Sequence, residues 1–295
     1  MFLKIKFLIK LINIKFENIF VMNLKNIKFS VLLPILDRPD IEYGFPLAIK
    51  SLFSNSLIPN QVVVVVDGPV NDNFKKVISK FKKEFGLDII WNEEKIGLDK
   101  ALNIGLLKCK YEFVFRADGD DINLDCRFEK QLPFLIDGYD VIGSNIDEFD
   151  NTGAYLSSRV VPKTDKEIKA LMPFRNPINH MTVAFSKSAV LEVGGYPELY
   201  LKGDYGLWIK LNSANKKFRN INESLVKATT GRRMINDRGG IKYIYSEFLL
   251  QNFLIKNNLS NYFQSILILI LRSSVFVFPA KLRNLFYKIF LRTSK

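Results

Sequence analysis

The chain reads as an α/β protein built on a mostly parallel sheet with helices on its faces. Three observations carry that expectation. A continuous β-branched run, VVVVVDG from Val62, suits a strand covered on both faces rather than one. From Phe29 onward, short apolar runs alternate with stretches at helical spacing. Four such strands separated by three helices imply right-handed crossovers and hence parallel pairing.

The elements follow in order. FSVLLPI from Phe29 is the first strand, and Tyr43–Ser56 reads as a helix. After the valine strand, Asn73–Glu84 sets Phe74, Val77, Ile78 and Phe81 at helical spacing. A strand at Leu87–Trp91, a helix at Leu98–Lys108 after Gly97 and a strand at Tyr111–Ala117 come next. A helix at Cys126–Ile136 leads to a strand at Val141–Ser144. Beyond residue 150 the alternation loosens. The pattern predicts a helix at Asp165–Leu171, a loop FRNPINH, a strand at Met181–Phe185 and a short helix at Lys187–Val193. The loop GGYPELYLKGD then precedes a helix at Tyr205–Asn215. Open α/β sheets bind ligands at the carboxyl ends of their strands. Asp67 ends the second strand and Asp118 the fourth, so their carboxylates are expected at one shared site.

Charge divides the chain into three parts. The net charge is +13, but residues 1–28 hold six Lys against Glu17, and residues 251–295 hold seven Lys and Arg with no acid. The middle, 29–250, is close to neutral with 30 bases and 29 acids. A nucleic-acid binder would carry a basic stripe on its folded face, so that class is set aside. Basic ends rich in Ile, Leu and Phe suit an anionic membrane surface, with the Lys- and Ile-rich composition of the whole chain as the plainer explanation. The segment after Pro279 places Leu282, Leu285, Phe286, Ile289 and Phe290 on one helical stripe flanked by Lys281, Arg283, Lys288 and Arg292. The longest apolar run, Ile266–Leu271, stops at Arg272, well short of the roughly 20 residues a membrane span needs. The lysine-interrupted start is no secretory signal, and Met22 is an alternative initiation point. Two cysteines, Cys109 and Cys126, make neither a disulfide framework nor a zinc cluster.

The chemistry concentrates in FVFRADGDDI. Asp118, Asp120 and Asp121 crowd three like charges together and call for a cation. A calcium loop fails, because Ile122 and Asn123 stand where a ligand and a turn glycine are needed, and because a strand precedes it. A solvated acidic turn neutralised by Arg116 is one remaining reading. The other is Mn²⁺ or Mg²⁺ held by carboxylates, with phosphate oxygens completing the shell.

With these residues in view, the chain resembles a family 2 glycosyltransferase of the GT-A fold, in the branch that builds bacterial surface and exopolysaccharides. The matching pieces are SVLLPI, VVVVVDGP, NEEKIGLDKALNIGL, FVFRADGDDI with Arg127, NPINHMTVAFSKSAVLEVGGY and KGDYGLWIKL, across roughly residues 29–240. The D-x-D triplet alone is weak; the ordered set is specific. The resemblance implies a donor site at Pro34, Asp67, Arg116, Asp118 and Asp120, with Asp67 on the nucleotide base. It implies a metal at Asp118, Asp120 and Asp121, with which of the three ligates left open, and His180 near the metal or as a structural hydrogen bonder. Asp204 corresponds to the general base that opens a helix before Trp208, although the acid expected before it is Gly203. An N-cap role for Asp204 is compatible with that. Arg116 either adds charge at the donor or screens the aspartates. Trp91 and Trp208 are expected to pack. Arg232 and Arg233 are either solvated or close over a diphosphate. Ile35-Leu36-Asp37 departs from the family's usual first-strand end, and the motifs of processive synthases are absent.

The resemblance implies transfer of a single sugar from a nucleoside-diphosphate sugar, UDP-linked by expectation, to a hydroxyl of a glycan or lipid-linked oligosaccharide, with inversion. The expected location is the cytoplasm, peripherally on the inner face of the cell membrane. The expected parts are a basic extension (1–28), a GT-A domain (29–250) and a helical tail (251–295). Two rivals are a catalytically silent membrane-associated binding protein of the same fold and a sugar-phosphate nucleotidyltransferase. The latter wants a glycine-rich phosphate loop after the first strand, which LLPILDRPDIEYG lacks.

Overall fold

A computed structural model describes residues 24–150, 152–229 and 239–277. The N-terminal extension up to residue 23, the loop with Arg232 and Arg233, and the amphipathic stripe after Pro279 lie outside the described residues.

β1 (Phe29–Ile35) and β2 (Gln61–Val66) are buried along their whole length and pair in parallel, with Pro34 opposite Val65. Their side chains alternate between two cores. Leu32, Val63 and Val65 face one core with Ala101, Leu102 and Leu106 of α3 (Leu98–Lys108). Val31, Leu33, Val62 and Val64 face the other, against Phe45 and Ile49 of α1 (Pro39–Phe53) and Phe74 and Ile78 of α2 (Asp72–Phe85). A strand covered on both faces has no use for polar alternation, which is why β2 is all valine after Gln61. Each fully buried aliphatic side chain contributes about 1.5–3 kcal/mol.

Helix ends are marked chemically. The Asn71 side chain accepts from the Phe74 N–H at 2.9 Å to start α2, and Gly86, at φ 68°, ends it. α1 starts at Pro39 rather than at Tyr43, because proline's fixed φ suits the first helical position.

β3 (Asp88–Trp91) and β4 (Phe113–Arg116) complete a parallel half with order β3-β2-β1-β4. The sheet continues through β8 (Ala184–Ser186), β6 (Val141–Phe149), β9 (Phe218–Thr229) and β5 (Ile122–Asn123), with β7 (Tyr155–Arg159) on β6. β8 is antiparallel to both β4 and β6, and β6 is parallel to β9. Six strands, β1 to β4, β6 and β9, therefore run one way and deliver their carboxyl ends to one edge. The strand expected at Met181–Phe185 is shorter and later, because His180–Thr182 form a 3₁₀ turn before β8.

Between these strands lie α4 (Arg127–Ile136), α5 (Asp165–Leu171), α6 (Lys187–Glu192) and α7 (Gly203–Ser213). Two further helices, α8 (Ile241–Lys256) and α9 (Tyr262–Val277), follow β9. Buried Glu247 of α8 accepts from both Arg272 of α9, at 2.8 Å, and Gln251, and pairs with Lys202 ahead of α7 at 3.5 Å. No helix among the described residues is long and apolar enough to cross a membrane.

Candidate active site

The loop after β4 carries the three aspartates at the carboxyl edge of the sheet. One ligand oxygen from each of Asp118, Asp120 and Asp121 lies within 4.8 Å of the others. Gly119 is fixed by close packing, since a Cβ there would lie 2.7 Å from Ile35 Cγ2 and 3.3 Å from Ile41 Cγ2. The loop is thus pressed onto β1 and α1.

Each aspartate has a different environment. Asp118 is ion-paired with the buried guanidinium of Arg116. Asp120 lies 3.6 Å from Arg38, and its carboxyl is pushed up to about 7 by burial and by the charge of Asp118. Asp121 is buried; Oδ1 accepts from the Thr229 N–H at the end of β9 (2.9 Å), while buried Oδ2 has no hydrogen-bond partner. Burial, then Asp118 and Asp120, drive the Asp121 pKa well above the carboxylate range. Three hard oxygen donors, excess negative charge and an orphaned buried oxygen fit a divalent cation of the Mg²⁺ or Mn²⁺ kind. Asp118, Asp120 and Asp121 are the residues that would hold it.

Arg127 braces this loop from below. Fully buried, it donates to Gln131 (3.0 Å), to Asn123, and to the carbonyls of Arg116 (2.7 Å) and Val183 (3.2 Å). Burial and the Arg116 charge hold it down to about 9.

Asp67 follows β2 and is 6% exposed. Its oxygens accept from the Ile96 N–H (2.8 Å) and the Gly97 N–H (3.0 Å), which ties the strand end to the loop that enters α3. Pro34 is buried in β1, next to the strand end. Asp67, Pro34 and the aspartate loop are therefore gathered on one sheet edge.

Asp204 lies in the first turn of α7, behind Lys202 at the N-cap, and Oδ2 accepts from Asn176 Nδ2 at 2.7 Å. His180 packs its ring near Tyr196 and Trp208, and Nε2 is 3.0 Å from the Tyr196 hydroxyl. Burial and the Arg116 charge push His180 well below its ordinary pKa, so it is a neutral imidazole. Among the described residues, the group that could hold a metal comprises the three aspartates without His180. Trp208 is fully buried, whereas Trp91 at the end of β3 is 45% exposed.

Buried Tyr196 lies within electrostatic reach of both the aspartate loop and Asp204. Its hydroxyl is raised in pKa by burial, and it feels Arg116 and Asp118 together with Asp204 and Asp99. Asn103 of α3 clamps its backbone, accepting from the N–H at 2.8 Å and donating to the carbonyl at 2.9 Å. Sequence reasoning missed Asn176, Asp99 and Tyr196 as site neighbours. All three stood within quoted motif pieces, and nothing local distinguished them.

A family model described as Glycosyl transferase family 2 matches residues 30–193. The chain is 34% identical over 264 residues to the UDP-Gal:alpha-D-GlcNAc-diphosphoundecaprenol beta-1,3-galactosyltransferase of Escherichia coli, covering 88% of this chain and 95% of that one. It is 32% identical to the amylovoran biosynthesis glycosyltransferase AmsE of Erwinia amylovora, over 88% of this chain and 98% of the relative. Among solved structures, S. aureus TarS 1-349 in complex with UDP-GlcNAc superposes with a TM-score of 0.60 at 18% identity, over 82% of this chain and 70% of that one. The mannosyltransferase PcManGT from Pyrobaculum calidifontis, in complex with GDP-Man and Mn2+, gives a TM-score of 0.54 at 14% identity, over 84% and 70% of the two chains. The fold is thus GT-A-like, and by the family match and the full-length relatives the chain belongs to glycosyltransferase family 2.

Proposed function

We propose that this glycosyltransferase moves one sugar from a UDP-sugar to a hydroxyl of a lipid-linked glycan, with inversion, in bacterial surface polysaccharide synthesis. The observation that carries the reading is the cluster of Asp118, Asp120 and Asp121 at the carboxyl edge of the sheet, with Asp204 held at a helix start by Asn176. The named substrates of the Escherichia coli relative, a UDP-sugar and a sugar on diphosphoundecaprenol, support both substrate classes.

The division of labour follows from the charges. Arg116 and Arg38 supply fixed positive charge beside the aspartate loop, where a diphosphate would develop negative charge as it leaves. A divalent cation at Asp118, Asp120 and Asp121 supplies Lewis-acid neutralisation of that diphosphate when bound. Asp67, Pro34 and the loop that Asp67 fixes form the wall on which the nucleotide rests. Asp204, aimed by Asn176, takes the proton of the acceptor hydroxyl. The acceptor oxygen bonds to the anomeric carbon as the carbon–oxygen bond to the diphosphate breaks, and the electron pair departs on the diphosphate. One base opposite one leaving group gives inversion.

Membrane contact at the inner face is supported by α9. Tyr262, Phe263, Ile266, Leu267, Ile270 and Leu271 form one exposed stripe, from 49% to 81% exposed. A lipid-linked acceptor and the basic ends agree with that placement.

Asp204→Asn is expected to lower kcat by about 10²–10⁴-fold with UDP binding retained, measured with UDP-galactose and a synthetic GlcNAc-diphosphoryl lipid. Transfer at the wild-type rate would sink the base assignment. Flotation with anionic vesicles is expected to weaken when Phe263 and Ile266 are both changed to Asp; unchanged flotation would remove α9 from the membrane contact.

A further inference from the structure

Asp99 lies in the first turn of α3 and Asp204 in the first turn of α7. Between them is Gly203, whose φ is outside the left-handed region, so its backbone does not require glycine. Its neighbour does. A Cβ on residue 203 would fall 1.8 Å from Asp99 Oδ1, 2.1 Å from Cγ and 2.2 Å from Oδ2. The Asp99 carboxylate occupies the space that a side chain at 203 would fill. An acid missing from the chain at 203 is thus present in space, delivered by another helix.

We propose that Asp99 is a positioning residue for the acceptor step, standing beside Asp204 as the second carboxylate of a pair and strengthening it as a base. This rests on the reading of Asp204 as the base. A proton taken from the acceptor hydroxyl lands on Asp204, where the negative charge of Asp99 stabilises it. The acceptor oxygen, relieved of that proton, forms the bond to the anomeric carbon while the diphosphate leaves with its electron pair.

The surroundings favour this role over a structural one. Among the described residues, no hydrogen bond or ion pair holds the Asp99 carboxylate. The groups whose charge reaches it are Asp204 and Glu198, the latter paired with Lys100 at 3.1 Å. Tyr196 keeps its proton and adds no charge. Asn176 and Lys202 act on Asp204 rather than on Asp99. Burial, then Asp204, then Glu198 push Asp99 up to about 7. The second charge of the pair is therefore present above neutral pH and absent below it.

The test compares Asp99→Asn, Asp99→Ala, Asp204→Asn and the relocation variant Asp99→Ala with Gly203→Asp. UDP-galactose and the synthetic GlcNAc-diphosphoryl lipid serve as probes, with melting curves and UDP binding as folding controls. In Asp99→Asn, kcat is expected to fall about tenfold with donor KM within about twofold, and the rise of kcat through neutral pH to disappear. Relocating the acid to 203, into the space that Asp99→Ala vacates, is expected to restore most of the loss. Carbon-13 NMR of the Asp204 carboxyl gives a readout independent of turnover: its titration is coupled to a step near neutrality in the wild type and uncoupled in Asp99→Asn. Wild-type kcat and pH profile in Asp99→Asn, or an unchanged Asp204 titration, overturns the pairing. If Asp204→Asn still transfers sugar, the base reading fails instead, which is a separate result.

Discussion

Glu247 joins three elements around one buried carboxylate, and its removal gives a sharp test of how α8 and α9 support α7. The perturbation is Glu247→Gln, which keeps the volume and deletes the charge. In the native protein the carboxylate is 0% exposed and accepts from Arg272 at 2.8 and 2.9 Å and from Gln251 at 2.9 Å, with Lys202 at 3.5 Å. Removing one partner of a buried ion pair costs about 3–5 kcal/mol. The Arg272 and Lys202 side chains are 29% and 15% exposed, so both cations reach some water once unpaired. That places the expected loss near the lower end, about 3 kcal/mol. For a domain of this size that is a melting-temperature drop of about 6–12 °C.

Acid supplies a second check on the same residue. Burial draws the Glu247 pKa up, but Arg272 and Lys202 outweigh it and set it below its ordinary 4.5. On the Lys202 side burial wins and lowers the ammonium's pKa, so Arg272 carries more of the pairing. A depressed carboxylate contributes its stability in full above the unfolded value and loses it as pH falls through the folded value. The gap between wild type and Glu247→Gln is therefore full at neutral pH and narrows in acid below 4.5. Urea unfolding at several pH values measures it. A neutral-pH gap below about 0.5 kcal/mol, the size of a typical neutral surface change, would refute the account. Because Lys202 directly precedes Gly203 and Asp204, the variant is also expected to lose kcat.

The aspartate loop predicts opposite signs for stability and binding. Asp121→Asn removes a buried, partly unpartnered carboxylate beside two others, so the metal-free protein is expected to gain about 1–2 kcal/mol in urea unfolding. The same change is expected to weaken Mn²⁺-dependent UDP binding at least tenfold by calorimetry; stability lost and binding kept would contradict the site. Asp67→Ala frees the Ile96 and Gly97 amides. Its expected cost is about 1–3 kcal/mol, with a raised donor KM and little change in kcat, and steady-state kinetics showing the reverse split would place Asp67 elsewhere in the reaction.

Local pattern reaches some of these features and misses others for definite reasons. The first four strands and their helices were legible because apolar run length and helical spacing encode a parallel sheet flanked by helices, most plainly in β1 and β2, which are covered on both faces. β5 was not legible: Ile122 and Asn123 are extended because β9 pairs with them through Lys227 and Val226. β9 itself, FRNINESLVKAT, mixes polar and apolar positions, since it is buried only where neighbours cover it. β8 inverts the strand direction between β4 and β6, and pairing direction leaves no local trace in three residues.

The same division holds at the site. The sequence by itself determined the charged ingredients: three crowded carboxylates after a strand, Asp67 after another, and Asp204 at a helix start. Local chemistry and chain order suffice for that. Only the tertiary structure decided that Asp121 buries an oxygen without a partner, that Asn176 aims Asp204, and that the space beside Gly203 belongs to Asp99. Residues 99 and 203 are brought together where the first turns of α3 and α7 meet, a long-range contact that no local pattern of side chains announces.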